Sequence, residues 1–277
     1  MQSPPLVSII TPVYNGAAYL DELIVSVRDQ DYPFIEHVII DDGSNDNGAT
    51  IAVLKKYPHL RWWSRENRGQ YATMNEGLDA AKGEVVCFIS ADDILANGAI
   101  RSAMEFIKAH SDYDGVYGFT AFMREDGRPY LPFAPFRRSS LKFYAYLWHM
   151  SHCSLYLKRD VLKKKILYFD AALRYAGDYD WIIRLINNGV KIELLPQTLS
   201  WIRIHEDQTS VKQRNKARLE RESIAQKNGI NPLLYLFAII VTTWLFNFYK
   251  FFFTIKQTGL KGGSRLMKNW LRKHGFP

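Results

Sequence analysis

The chain is poor in cysteine, with only Cys87 and Cys153 among 277 residues. That count excludes a disulfide framework and points to a reducing compartment. Cys87 lies in an apolar run that reads as a buried strand. Acidic residues are missing altogether from Ser223 to Pro277, although the same stretch carries eight lysines and arginines. The net charge is +8, so the first 222 residues balance 28 bases against 28 acids, and the tail holds the entire excess. A neutral body without a basic stripe argues against a nucleic-acid partner. The opening MQSPPLVSII has no basic segment followed by a long apolar one. The expectation is therefore no secretory signal and a cytoplasmic location. Internal repeats and low-complexity tracts are also lacking. What remains is a chain with 47% hydrophobic residues, long enough for one large domain or two small ones.

Through the first half, β-rich apolar runs alternate with helical patterns. LVSIIT is followed by a helix from about Tyr19, HVIID by a helix to Tyr57, and LRWWS by a helix near Gln70 to Ala81, before EVVCFI. This alternation predicts an α/β domain with a mostly parallel sheet covered on both faces. The ligand crevice of such a sheet lies outside the carboxyl ends of its strands. TPVYNG, DDGSND and SADD fall there, which should gather Asp41, Asp42, Asp92 and Asp93 on one rim. A turn or helix cap accounts for a single Asp. Two adjacent carboxylates ending a buried strand suit a hard cation, Mn2+ or Mg2+, that would shield an anionic diphosphate from them. Further on, the stretch from Met123 to His152 loses periodicity and is crowded with Pro, Arg and aromatics. It reads either as a binding loop or as aromatic core.

From Leu233 to Ile255 the chain is apolar almost all round, interrupted by Asn247 and Lys250. As a helix it would run roughly 34 Å, enough to cross a bilayer. A simple span would put the basic tail and the body on opposite sides, against the positive-inside rule. A peripheral or re-entrant helix at the inner face of the membrane avoids this, and RLMKNWLRK has the mixed basic and apolar character of an interfacial helix. The alternative is a helix buried in an oligomer. This divides the chain into an α/β domain at 1–215 and a helical, basic, membrane-associating region at 216–277.

Five motifs in order, VSIITPVYNG, VIIDDGSNDNGAT, NRGQYATMNEGLDAAKGEVVCFISADD, AGDYDWIIRL and RIHEDQTS, resemble glycosyltransferase family 2, over about residues 6–210. The resemblance implies the GT-A fold, which is Rossmann-like, and inverting transfer of a sugar from a nucleotide diphosphate donor to a hydroxyl. It also implies a set of roles. Asp42 matches the nucleobase carboxylate, with Pro12 and Tyr14 as the adjacent wall. The D-x-D metal motif reads Ser90-Ala91-Asp92, so Asp92 is the expected ligand, while Ser90 leaves the ribose contact without its usual carboxylate. His205 matches a histidine that completes the metal or diphosphate site, and Arg68 would meet diphosphate as a charge-assisted donor.

In AGDYDW, Gly177 replaces a common Glu and Asp178 matches the catalytic base. Inversion in one displacement needs such a carboxylate opposite the leaving group. Asp180, two residues on, points elsewhere and reads as structural. No Q-x-x-R-W pentapeptide, the usual mark of the processive synthases, is present, so one or a few sugars per acceptor are expected. A UDP-sugar is the expected donor, and a glycan or lipid-linked glycan in cell-surface polysaccharide synthesis the expected acceptor. Two other readings stay open at this point: nucleotidyl transfer, which would release pyrophosphate, and a nucleotide-sugar-binding protein that has lost catalysis.

Overall fold

The computed structural model of the chain describes residues 4–131, 150–245 and 248. The alternation expected from sequence appears as β1 (Val7–Val13), α1 (Leu20–Arg28), β2 (Ile35–Asp41), α2 (Ala49–Lys55), β3 (Arg61–Ser64), α3 (Gln70–Ala80) and β4 (Val85–Phe88). β1 runs parallel to both β2 and β4, and β3 runs parallel to β2. Successive side chains of a strand point to opposite faces, and the apolar residues of β1 and β4 supply both. Val7, Ile9, Val85 and Cys87 join the core under α1, α2 and α4 (Ala99–Ala109). Ile10, Val86 and Phe88 join the core under α3, α5 (Arg159–Lys164) and α6 (Gly177–Asn187). Strands buried on both faces read as continuous apolar runs for this reason.

The second half changes the sheet. Its order is β3-β2-β1-β4-β8-β6-β9-β5, where β5 is Ile94–Leu95, β6 Gly115–Arg124, β8 Leu155–Lys158 and β9 Ile192–Ile204. β7 (Pro129–Leu131) pairs with β6. β6 is parallel to β9, but β4–β8, β6–β8, β5–β9 and β6–β7 are antiparallel. The mostly parallel sheet expected from sequence is therefore corrected to a mixed one, with four parallel and four antiparallel pairs. The physical reason is that β8 enters between β4 and β6 antiparallel to both, while β5 and β7 add antiparallel pairs to β9 and β6.

Helix α7 (Arg214–Lys227) runs across position 216 and buries Ala217, Ile224 and Ala225. A further helix covers 232–245. Asn231 caps it, its Oδ1 accepting the N–H groups of Leu233 and Leu234 at 3.0 and 3.1 Å, with Pro232 at the first helical position. Tyr235 and Ala238 face the body, whereas Leu233, Phe237 and Trp244 are each more than half exposed. Among the described residues no helix is long and apolar enough to cross a membrane. The far half of the Leu233–Ile255 segment, the RLMKNWLRK stretch and most of the irregular Met123–His152 segment lie outside the described residues.

Candidate active site

Because β1, β2 and β4 are parallel, their carboxyl ends open on one edge, and the predicted clusters meet there. Pro12 is buried inside β1 opposite Ile40, and Tyr14 stands half exposed just beyond, its hydroxyl 3.3 Å from Asn45 Oδ1. Asp41 accepts from the Ser44 and Ser64 hydroxyls and holds the turn closed. Asp42 is buried and organises the next loop. Its Oδ1 accepts from the Arg65 guanidinium and, at 2.8 Å, from the Arg68 N–H; its Oδ2 accepts from the Gly69 N–H at 2.9 Å. Gly69 opens α3 with φ at +90°, a conformation that disfavours a side chain. A carboxylate has about four lone-pair sites, so three of these are taken and one remains for a further donor. Arg68 itself lies exposed on the lip of the loop.

The metal motif is assembled by β5 and β9. Ile94 pairs with Trp201, and extending that antiparallel register backwards sets Asp92 opposite Arg203, two residues from His205. His205 Nε2 lies 3.0 Å from Asp92 Oδ2. Asp92 keeps part of its surface, whereas Asp93 is buried and accepts from the Arg203 N–H at 3.0 Å and the Cys153 thiol at 3.3 Å. Burial, reinforced by the neighbouring Asp92, pushes the Asp93 carboxyl well above the usual carboxylate range. Ala91 is partly buried at the same strand end. The Ser90 hydroxyl, at the first motif position, lies 3.9 Å from the Cys153 sulfur.

Arg203 was not among the residues expected from sequence. It is fully buried, yet its guanidinium reaches Glu22 Oε2 at 2.6 Å, the Glu125 carbonyl at 2.6 Å and the Asp92 carbonyl at 3.1 Å. It also stacks 4.7 Å over the Tyr19 ring, which in turn sits 4.8 Å from the His205 ring. Trp201 and Arg203 alternate along β9, and His205 takes the next alternate position just beyond its end. Among the described residues no group of three His, Cys, Asp or Glu side chains stands close enough to hold a metal. Asp92 and His205 supply two donors. That fits a hard cation only where substrate diphosphate and water complete the shell, as Mg2+ sites commonly require.

Asp178 sits in the first turn of α6, partly exposed. Three groups fix it. The ring of Tyr71 lies over Gly177 so closely that a Cβ there would come within 2.6 Å of Tyr71 Cε2, so any side chain at this position would have to displace the ring. Glu220 on α7 accepts the N–H groups of Arg174, Tyr175 and Ala176 at 3.0, 2.6 and 2.7 Å, capping the entry to α6 from another element. His152, in the turn before β8, points its Nδ1 at Asp178 Oδ2, 3.6 Å away. Burial works against a charged His152, but Cys153 and Asp178 together reverse this and hold its imidazole well above the ordinary histidine range. Asp180 is buried and bound to Arg184 Nε at 2.6 Å, the structural role expected for it.

The sequence profile of Glycosyl transferase family 2 matches residues 8–165. An uncharacterized glycosyltransferase of Rickettsia typhi is 32% identical over 74% of this chain and 66% of its own length. A second one, from Rickettsia felis, is 33% identical, and the match takes in 36% of its length. This chain thus spans less than two thirds of either. The putative teichuronic acid biosynthesis glycosyltransferase TuaG of Bacillus subtilis is 33% identical over 45% of this chain and 50% of its own. Among solved structures, S. aureus TarS 1–349 in complex with UDP-GlcNAc superposes with a TM-score of 0.61 at 26% identity, over 73% of this chain and 60% of that one. A mannosyltransferase from Pyrobaculum calidifontis in complex with GDP-Man and Mn2+ has the same fold, with a TM-score of 0.61 at 19% identity over 97% and 80% of the two chains.

Proposed function

We propose that this chain, which belongs to glycosyl transferase family 2, moves a sugar from a nucleoside diphosphate donor to a hydroxyl acceptor with inversion, using Asp178 as the general base. The observation that carries the reading is the closeness of two groups of opposite task. Asp178 is joined to the Asp92–Asp93 rim through His152 and Cys153 by contacts of 3.6, 3.4 and 3.3 Å. A base on one side and a diphosphate-facing rim on the other are what a one-step displacement needs. The acceptor oxygen attacks the anomeric carbon and gives its proton to the Asp178 carboxylate. The bond from that carbon to the diphosphate oxygen breaks, and its electron pair leaves with the diphosphate. Mn2+ or Mg2+ held by Asp92 and His205 would supply charge neutralisation for the departing diphosphate.

Asp42, Tyr14 and Pro12 shape the nucleobase end, and Arg68 offers its guanidinium to phosphate. A UDP-sugar is the favoured donor, because a neighbour at 26% identity is known with UDP-GlcNAc bound. A glycan or lipid-linked glycan of the cell surface is the favoured acceptor. The similarity to TuaG, a putative teichuronic acid biosynthesis glycosyltransferase, supports it, as does the exposed apolar face of the 232–245 helix, which suits a membrane surface.

The test is nucleoside diphosphate release from UDP-, GDP- and dTDP-sugars, with Mn2+ or EDTA and membranes as acceptor. Release from one donor is expected, suppressed by EDTA and reduced about 10²–10⁴-fold in Asp178→Asn with UDP affinity retained. UDP binding without release from any donor would overturn transfer and leave a binding protein.

A further inference from the structure

The geometry points to His152, backed by Cys153, as a positioning residue that holds the Asp178 carboxylate in register with the Asp92–Asp93 rim. The inference rests on the reading of Asp178 as the base and goes beyond it by naming what fixes the base.

His152 belongs to the short turn His152–Ser154 that precedes β8. Every part of this turn is anchored. The Cys153 N–H donates to the Ser151 hydroxyl at 3.2 Å, and the Ser154 hydroxyl meets Thr120 Oγ1 on β6 at 2.9 Å. All three residues of the turn are buried. The imidazole is gripped at one edge, where Nε2 lies 3.4 Å from the Cys153 sulfur. That sulfur lies 3.3 Å from Asp93 Oδ2, and the other oxygen of Asp93 accepts from the backbone of Arg203. The opposite edge, Nδ1, is buried and has no hydrogen-bond partner among the described residues. Asp178 Oδ2 lies in front of it at 3.6 Å.

A buried polar edge is rarely left unpaired. Here the one unsatisfied edge of a rigidly seated ring faces the one catalytic carboxylate, and apo hydrogen bonds of this kind tighten in the reactive complex. With Oδ2 engaged by His152, Oδ1 is the oxygen that takes the acceptor proton. No proton passes to His152. Its work is distance: the base and the leaving group must sit on opposite sides of one carbon, and a misplacement of about 1 Å costs on the order of 10²-fold in rate. The line from Asp178 through His152 and Cys153 to Asp93 is what sets that spacing.

The experiment is a double-mutant cycle on the full chain, with the UDP-sugar that gives release in the panel above and UDP itself as the binding probe. His152→Ala is expected to lower kcat by on the order of 10²-fold, with donor KM and UDP affinity within about twofold of native. In the Asp178→Asn background the same change should cost almost nothing further, because His152 acts only through Asp178. His152→Asn, which keeps a donor near the Nδ1 position, should recover most of the lost kcat. His152→Gln, with its amide near the Nε2 position, should not. This second pair carries the comparison even if His152→Ala loses its thermal transition. Equal losses in both backgrounds, a loss confined to KM, or equal rates for the Asn and Gln variants would overturn the proposal. Native activity in Asp178→Asn would instead overturn the reading of the base, and is a separate result.

Discussion

Buried ionisable side chains in this protein have been given unequal tasks, and His37 on β2 shows a structural one. Its Nε2 lies 3.0 Å from the Thr11 hydroxyl on β1, and its Nδ1 has no partner among the described residues. Burial, with a smaller contribution from His59, pushes its pKa down to about 3. The unfolded chain takes up that proton near pH 6.5, so the folded state is favoured above this value and loses the advantage as pH falls from 6.5 towards 3. Over the first 1.5 units the loss is about 2 kcal/mol. Urea unfolding at pH 7 and pH 5 should therefore show the native chain losing about 2 kcal/mol more than His37→Gln; parallel losses would sink the assignment. Other residues were only half legible. Asp92, Asp178 and His205 stood out as candidates from their motifs, because each lies at an element's end where polar residues punctuate an apolar run. His152 and Arg203 did not, since the partners that give them meaning lie 26 to 181 residues away in the chain.

At the scale of elements, the local α/β units of the first half were readable and the return strands were not. Parallel strands separated by helices announce themselves through local punctuation. The antiparallel insertion of β8 beside β4, and of β9 beside β5, depends on pairings across about 70 and about 105 residues, for which a single sequence carries no periodic sign. The α7 helix illustrates the same limit. Read alone it is a polar stretch near a boundary, but in the fold its Glu220 satisfies three backbone donors at the mouth of the helix bearing Asp178. Removing that carboxylate leaves those donors without their charge-assisted acceptor. Glu220→Ala should lower stability by about 1–3 kcal/mol and reduce kcat, while Glu220→Gln, which keeps one acceptor oxygen, should fall between. Thermal unfolding and single-turnover release measure the two effects. An unchanged rate at reduced stability would show that α6 holds Asp178 without help from α7.

At the scale of the molecule, the polar and apolar surfaces are separated along the chain. The rim of the sheet gathers carboxylates, and the 232–245 helix turns Leu233, Phe237 and Trp244 outward. Basic residues follow in the sequence. The proposed membrane contact is that of an apolar face followed in sequence by positive charge, a combination that favours an anionic bilayer. Phe237→Ser combined with Trp244→Ser should abolish sedimentation with vesicles of anionic lipid and leave UDP affinity unchanged. Sedimentation equal to native would remove this helix from any account of membrane attachment.

The pairing of Asp92 with His205 joins side chains 113 residues apart. On a ribosome adding about 5–20 residues per second, the imidazole follows its carboxylate by roughly 6–23 s. A fragment ending before β9 lacks both the histidine that meets Asp92 and the strand that links β5 to β6. Among the described residues β9 is the last strand in the chain, so on the reading proposed above the site is completed only once that strand has been made.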